Sequence, residues 1–233
     1  MRRTLALIVL PILAVASLSA CAVVRGPQIS QDRPIEDAHA VVLESSGDLI
    51  ITRGEPSLTV TASSTVIDRL TSEVDGGVLY LGSRGWFGVP WGEVRYELSL
   101  PTVEGVTISG SGDVEVDFSG ATDVRVVIEG SGDVEGSGID ASSVTVSIAG
   151  SGDVELSGSA DTVEAAIAGS GDIDLSSLIA SDAIASINGS GDIRVHATGS
   201  LDAEINGAGS IRYSGDPDIT DSSINGIGDI EAE

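Results

Sequence analysis

The chain has 233 residues, 41% of them hydrophobic but only 3% aromatic, and carries a net charge of −25 from 36 acidic and 11 basic side chains. Every basic residue is Arg. A surface this acidic repels nucleic acid and anionic lipid headgroups, which excludes both as partners and leaves cations and basic molecules as its attractions.

At the N-terminus, Arg2 and Arg3 precede an apolar run from Leu5 to Ala20 that ends in small residues. The run is short for a membrane span and predicts a signal peptide over residues 1–20. Leu18-Ser19-Ala20-Cys21 resembles the lipobox of bacterial lipoproteins, and Cys21 is the only cysteine. That resemblance implies cleavage before Cys21, a thioether lipid on its sulfur and an acyl chain such as palmitate on its amine. More than one acyl chain is enough for a stable membrane anchor. With Cys21 lipidated no thiol is left for a disulfide or for catalysis. The mature chain is then 213 residues, Cys21 to Glu233, and its charge falls to −27 with the loss of Arg2 and Arg3.

Residues 21–38 hold Gly26, Pro27 and Pro34 with no apolar period, which predicts a flexible tether behind the lipid. A single domain is expected over residues 39–233. Its first part, 39–103, contains strand-like runs at Leu49–Thr52, Leu58–Thr61, Val78–Leu81 and Glu93–Leu100, separated by Gly and Pro. Thr65–Val74 fits one helical turn or a strand equally. Five of the seven aromatic residues fall between Tyr80 and Tyr96. Among them Trp86, Phe87 and Trp91 sit in a Gly- and Pro-rich tip. Those rings either bind a sugar or a partner's pocket, or fold back as a cap over the first coils.

From residue 104 to 233 a repeat takes over. Gly-Ser-Gly-Asp followed by Val or Ile starts at Gly110, Gly130, Gly150, Gly169 and Gly189. Looser copies start at Gly207 and Gly226, giving spacings of 20, 20, 19, 20, 18 and 19 residues, and Ser46-Gly47-Asp48-Leu49 looks like a worn first copy. Around each copy the apolar residues alternate with polar ones, as in Val144, Val146, Ile148, Gly150, Gly152, Val154 and Leu156. That is the period of a strand, not a helix. Read down the copies, Ile108, Ile128, Ile148, Ile167, Ile187, Ile205 and Ile224 form one column, and Val114, Val134, Val154, Ile173, Ile193, Ile211 and Ile230 another. Coils stacked at about 4.8 Å would turn these columns into two aliphatic ladders. Both glycines of each motif are expected to face inward at a corner, where a residue without a side chain adopts angles others resist.

These repeats, with Ile-Asn-Gly at residues 187–189, 205–207 and 224–226, resemble the head GIN domain, a family described as the adhesin head of autotransporters. Leu98-Ser99-Leu100-Pro101 just before the first full copy fits as well. The resemblance covers about Val41 to Glu233. It implies an all-β fold, a right-handed parallel β-helix with coils of about 20 residues, in a secreted or lipid-anchored protein; it brings no catalytic residues. The last two copies depart from the pattern, with Ser210 in place of Asp, and Ala208 and Ile227 in place of Ser.

The outward Asp column, Asp113, Asp133, Asp153, Asp172 and Asp192, is the sharpest candidate site. Glu115, Glu135, Glu155 and Asp174 form a second column two residues on, which changes sign at Arg194 and Arg212. Carboxylates at strand spacing repel by about 0.9 kcal/mol per neighbour even in water. Two arrangements would offset this: Ca²⁺ bound between coils, or hydrogen bonds from Ser and Gly amides of each Asp's own turn. Asn188, Asn206 and Asn225 share an outward column fit for an amide ladder. His39 and His196 lack metal-ligand spacing and receive no role. No nucleophile triad, phosphate loop or dinucleotide fingerprint is present, and short coils leave little room for a catalytic cleft.

The sequence therefore predicts a non-enzymatic, lipid-anchored, extracytoplasmic protein of the cell envelope without a cofactor. Its first function is an adhesin-like module for polysaccharide or protein. The alternative is a structural or sensory component that self-associates or docks a partner at the C-terminal edge after Ile230. A carbohydrate-active enzyme is the third reading.

Overall fold

The structure, a computed structural model, describes residues 26–36, 38–85 and 92–233. Strands β11 (Val134–Ile148), β12 (Val154–Ile167), β13 (Ile173–Ile187) and β14 (Ile193–Ile205) each make most of one coil and pair in parallel with the next. The result is a β-solenoid of about six turns, as the 20-residue period predicts.

The corners are written in the side-chain alternation. In β11, Val134 and Gly136 point inward, then Ile139 and Ala141, then Val144, Val146 and Ile148. Two outward residues stand together at Ser137-Gly138 and again at Ser142-Ser143. Each doubled step reverses the phase of a two-residue period, so the chain turns a corner and keeps its aliphatic groups inside. Through the Gly-Ser-Gly-Asp segment the phase is unbroken: Ile148, Gly152 and Val154 are buried while Ser151 and Asp153 are exposed.

The Ile column is in register from Ile108 to Ile205, and its six members there are no more than 1% exposed. Each contributes about 1.5–3 kcal/mol by leaving water. The second column is equally buried from Val114 to Ile211. The expectation of seven equivalent rungs fails at the last. Strands β15 (Ala208–Ser214), β16 (Asp218–Ile224) and β17 (Ile227–Ala232) make the final turns, where Ile224 is 46% exposed and Ile230 is only partly buried. Among the described residues, β16 and β17 have a coil on one side only, so no further rung covers them.

At the other end the chain order is inverted. The first coil is β2 (Ala40–Leu43) and β3 (Asp48–Arg53). Above it lie β8 (Gly105–Ile108) and β9 (Val114–Asp117), followed by β10 (Asp123–Ile128). Beneath it lie β6 (Val78–Ser83) and β7 (Arg95–Leu100), later in sequence but lower in the stack. The lower edges of β6 and β7 are closed by antiparallel strands: β5 (Leu70–Asp75) on β6, and β4 (Ser57–Ser63) on β7. Val66, Ile67 and Leu70 are buried over this end at 0, 1 and 4% exposure, so an apolar plug covers the core where solenoids need closing. Thr65–Val74 proves to hold both of its alternatives: a 3-10 turn, Ile67–Arg69, and then the start of β5.

One expectation is corrected here. Part of the segment read as a tether over residues 21–38 belongs to the sheet: β1 (Gln28–Arg33) pairs antiparallel with β4. Its Arg33 guanidinium donates to the carbonyls of Ile67 at 2.9 Å and Leu70 at 3.0 Å. The strand lacks an apolar stripe because it lies at the edge, with Gln28 to Ser30 exposed, and so its sequence reads as linker.

Candidate functional site: the carboxylate wall

Beside each motif the five Asp residues stack in one file, and the structure gives their carboxylates a partner that the sequence left open. Each Oδ1 accepts the backbone N–H of the corresponding residue one coil further on. Asp133 N donates to Asp113 at 3.0 Å, Asp153 N to Asp133 at 2.8 Å, Asp172 N to Asp153 at 2.8 Å, and Asp192 N to Asp172 at 2.7 Å. Ser210 N closes the file on Asp192 at 2.8 Å. In return the amides of Val114, Val134, Val154 and Ile173 donate to the Asp carbonyl of the next coil at 2.8–3.0 Å. The carboxylate stands in for a backbone acceptor at the point where the ladder leaves the turn. The bond therefore runs between coils, not within one turn.

The glycines owe their place to the same close stacking. A Cβ on Gly130, Gly150 or Gly169 would collide with the carbonyl oxygen of the motif's first glycine one coil back, and one on Gly132, Gly152 or Gly171 with that of the second. Such a Cβ would meet the neighbouring coil along the stack, and the first glycine is only half-buried. None of these six has a positive φ, so close approach, not an unusual backbone angle, requires glycine here.

Glu115, Glu135, Glu155 and Asp174 form the parallel file, in register on adjacent strands. Arg194 follows Asp174 in that register and lies 3.4 Å from its Oδ2. Arg212 stands next and bridges Asp192 at 3.2 Å and Glu231 at 3.1 Å. These pairs are about a third exposed or more, so solvent screens them and they add little to stability. Partial burial pushes the Asp174 carboxyl up. Hydrogen bonds from the Ser176 hydroxyl and amide, joined by the Arg194 guanidinium, outweigh that and hold it below the usual range.

An open groove of about 620 Å³ follows the wall, from Asp48 and Arg95 at one end to Asp174 and Arg194 at the other. Both ends therefore carry a cation, and every charged group between them is a carboxylate. Among the described residues no three carboxylate or imidazole groups converge as a metal site. Oδ1 of each Asp in the file is spent on an amide, which makes the column a structural ladder; Asp192 also gives its second oxygen to Arg212, while Oδ2 of Asp113, Asp133, Asp153 and Asp172 faces the groove's solvent or a ligand.

Residues 39–217 match the model of the family described as "Putative auto-transporter adhesin, head GIN domain". The chain belongs to that family. It is similar to a solved "putative adhesin" from Bacteroides fragilis, at 26% identity and a TM-score of 0.82, over 89% of this chain and 97% of that one. A "putative lipid binding protein" from Parabacteroides distasonis is similar at 25% identity and a TM-score of 0.68, over 89% and 97%. A further P. distasonis structure, at 19% identity and a TM-score of 0.72, over 89% and 98%, shares the fold. No curated protein matches the chain. Membership in an adhesin family places this GIN domain among surface, extracytoplasmic proteins.

The other predicted site residues of the GIN domain divide in two. Cys21, Trp86, Phe87 and Trp91 lie outside the described residues. The three aromatic residues fall in the sequence between the end of β6 and the start of β7. The core at the β6 and β7 end is closed by β4, β5 and the 3-10 turn. The Asn ladder is present: Asn206 Nδ2 donates to Asn188 Oδ1 at 3.2 Å, and Asn225 Nδ2 to Asn206 Oδ1 at 3.1 Å. Sequence reasoning missed Arg95 as the lower border of the wall. Its only signal was its place in an irregular coil that pairs with Asp48 after a chain inversion.

Proposed function

We propose that this GIN domain is a non-enzymatic surface-binding module, held outside the cell membrane by lipid on Cys21, that engages an extracellular polysaccharide or an envelope protein. The observation that supports this best is the carboxylate wall. Eight acidic side chains, Asp113, Glu115, Asp133, Glu135, Asp153, Glu155, Asp172 and Asp174, line one groove on consecutive coils. A rigid comb of like charge at strand spacing suits a polymer whose basic groups, or whose bound cations, also repeat. The Trp86–Trp91 tip supplies stacking surface for sugar rings on the same module.

The test uses the soluble chain from Ala22 to Glu233, incubated with a panel of cell-wall and extracellular polysaccharides, basic proteins and, because one relative is described as lipid binding, lipid vesicles. Retention without released fragments is the expected result. Retention should weaken with salt and with the triple change Glu115→Gln, Glu135→Gln, Glu155→Gln. Released oligosaccharides would overturn the non-enzymatic reading. Retention indifferent to both salt and the triple change would overturn the role of the wall.

A second reading, a structural component that docks a partner strand, rests on the last turns. Ile219, Ile224 and Ile227 are 41, 46 and 83% exposed there, on strands paired on one side only among the described residues. Strand addition is a recognised mode of partner binding. A mass in light scattering that stays monomeric at high concentration, with no envelope protein recovered by crosslinking, would count against it.

A further inference from the structure

Asn188, Asn206 and Asn225 are each followed by glycine, and all three are exposed. In an Asn-Gly step the glycine amide nitrogen can attack the Asn side-chain carbonyl, because no Cβ stands in the way. Two local conditions decide whether it does so in a folded chain. The glycine N–H must be free, and the Asn side chain must be able to leave its resting position.

The coils differ on the first condition. Where the residue before the motif is Glu129, Ala149 or Ala168, the following glycine amide donates to the Ile carbonyl of the previous coil at 3.0–3.1 Å. In the three Asn coils that carbonyl, on Ile167, Ile187 or Ile205, takes the Asn amide alone, at 2.7 Å. Among the described residues the amides of Gly189, Gly207 and Gly226 then have no acceptor. The nucleophile is unoccupied at all three steps.

The second condition separates them. The Asn206 side chain is held by three hydrogen bonds: its Nδ2 donates to Asn188 and, at 2.8 Å, to Glu204, and its Oδ1 accepts from Asn225. Asn188 and Asn225 keep one each. Asn225 also follows Ile224, the rung of the aliphatic ladder that is 46% exposed, so its coil is the least buttressed of the three.

We propose that Asn225-Gly226 is a site of spontaneous intramolecular deamidation, and that the amide ladder protects Asn206 from the same reaction. The Gly226 nitrogen gives its proton to solvent and bonds to Asn225 Cγ. The bond from Cγ to the side-chain nitrogen breaks, and that nitrogen leaves as ammonia with a proton from solvent. Water then opens the five-membered imide at either carbonyl, which yields aspartate or isoaspartate with no change of oxidation state. Neither product can donate to Asn206 Oδ1, so conversion removes one of that residue's three restraints. The isoaspartyl product also adds a carbon to the main chain immediately before β17, whose register with β15 begins at Ile227.

Ageing the purified chain at mildly alkaline pH, with peptide mapping by mass spectrometry that separates aspartate from isoaspartate, tests this. Conversion is expected first at Asn225, then at Asn188. Asn206 should be slower than Asn225 by about tenfold or more, the factor for breaking two extra hydrogen bonds on the way to reaction. Asn206→Ala, which frees both neighbours, should speed conversion at Asn188 and Asn225, and Asn225→Gln should abolish conversion at that position. The proposal is overturned if Asn206 converts as fast as Asn225, or if Asn225 stays intact while a synthetic peptide spanning residues 221–230 converts fully.

Discussion

The ring of Phe118 occupies the space beside Gly136: a Cβ on that glycine would lie 2.8 Å from Phe118 Cε2 and 2.5 Å from Leu156 Cδ2. In register with Gly136 the neighbouring coils place Val116 and Leu156, both buried. Gly136 is thus the one rung of that local column with no side chain, and a residue from a corner of the adjacent coil fills its place. Phe118→Ala should cost about 3–5 kcal/mol, and Gly136→Leu about 1–3 kcal/mol from overpacking. Combining Phe118→Ala with Gly136→Leu should cost less than the two single changes added together, by about 0.5–3 kcal/mol. Denaturant melts of the four proteins read this directly, and strict additivity would show that the ring and the glycine do not share one space.

The Asp file predicts a split between two small changes. Asp153→Ala leaves the Asp172 amide without its acceptor and should cost about 1–3 kcal/mol. Asp153→Asn keeps an oxygen at that position and should cost distinctly less. Because the file is held by amides, melting temperatures in chelator and in excess Ca²⁺ should agree. A rise in Ca²⁺ that Asp153→Asn removes would restore the cation arrangement.

Two carboxyls on the coils are held below their ordinary range. Hydrogen bonds from Ser119 lower Asp117, and those from Ser176, with Arg194, lower Asp174 against the effect of burial. A carboxyl lowered in the folded state stabilises it above the unfolded value, near pH 4, and loses that contribution as pH falls through the folded value. Stability should therefore begin to drop as pH falls below about 4 and go on dropping until both carboxyls are protonated in the folded state. Asp174→Asn should lower stability at neutral pH and flatten the acid limb. An acid limb unchanged in that variant would remove Asp174 from the account.

Position in the stack decides the cost of trimming an Ile. Ile148→Ala, in the middle of the ladder, should cost about 2–5 kcal/mol. Ile224→Ala, in the same column but 46% exposed, should cost well under half as much.

Arg33 ties the first described strand to the plug over the core. Arg33→Ala leaves the Ile67 and Leu70 carbonyls without that donor and should loosen the cap before the coils. Hydrogen exchange should rise in β1 and β5 while β11 to β13 stay protected. Uniform loss of protection would mean that cap and coils unfold as one unit.

These contrasts show what was readable in advance. The regular coils were legible because alternation and a 20-residue period act locally: each inward Ile repeats one packing problem. The Asp file was legible as a file, but its partner was not, since the bond crosses to another coil. The cap was the least legible. The strand runs at Leu58–Thr61 and Val78–Leu81 were visible, yet nothing in them says that β6 and β7 pass beneath β2 and β3. Gln28–Arg33 lacked the apolar alternation by which the other strands announced themselves, because an edge strand buries little.

The inversion at the cap gives assembly of this molecule a direction in time. The first coil's lower edge is completed by residues 78–100 and its upper edge by residues 105–117, so both faces of β2 and β3 wait for later chain. Beyond that point every strand pairs with one only about twenty residues earlier, a separation at which loop closure is fast. Barrier-crossing should therefore belong to the N-terminal block, and the remaining turns should add to it one after another like a zip. Slowing of refolding by Leu49→Ala, against faster unfolding with unchanged refolding for Leu201→Ala, is the kinetic signature expected of that order.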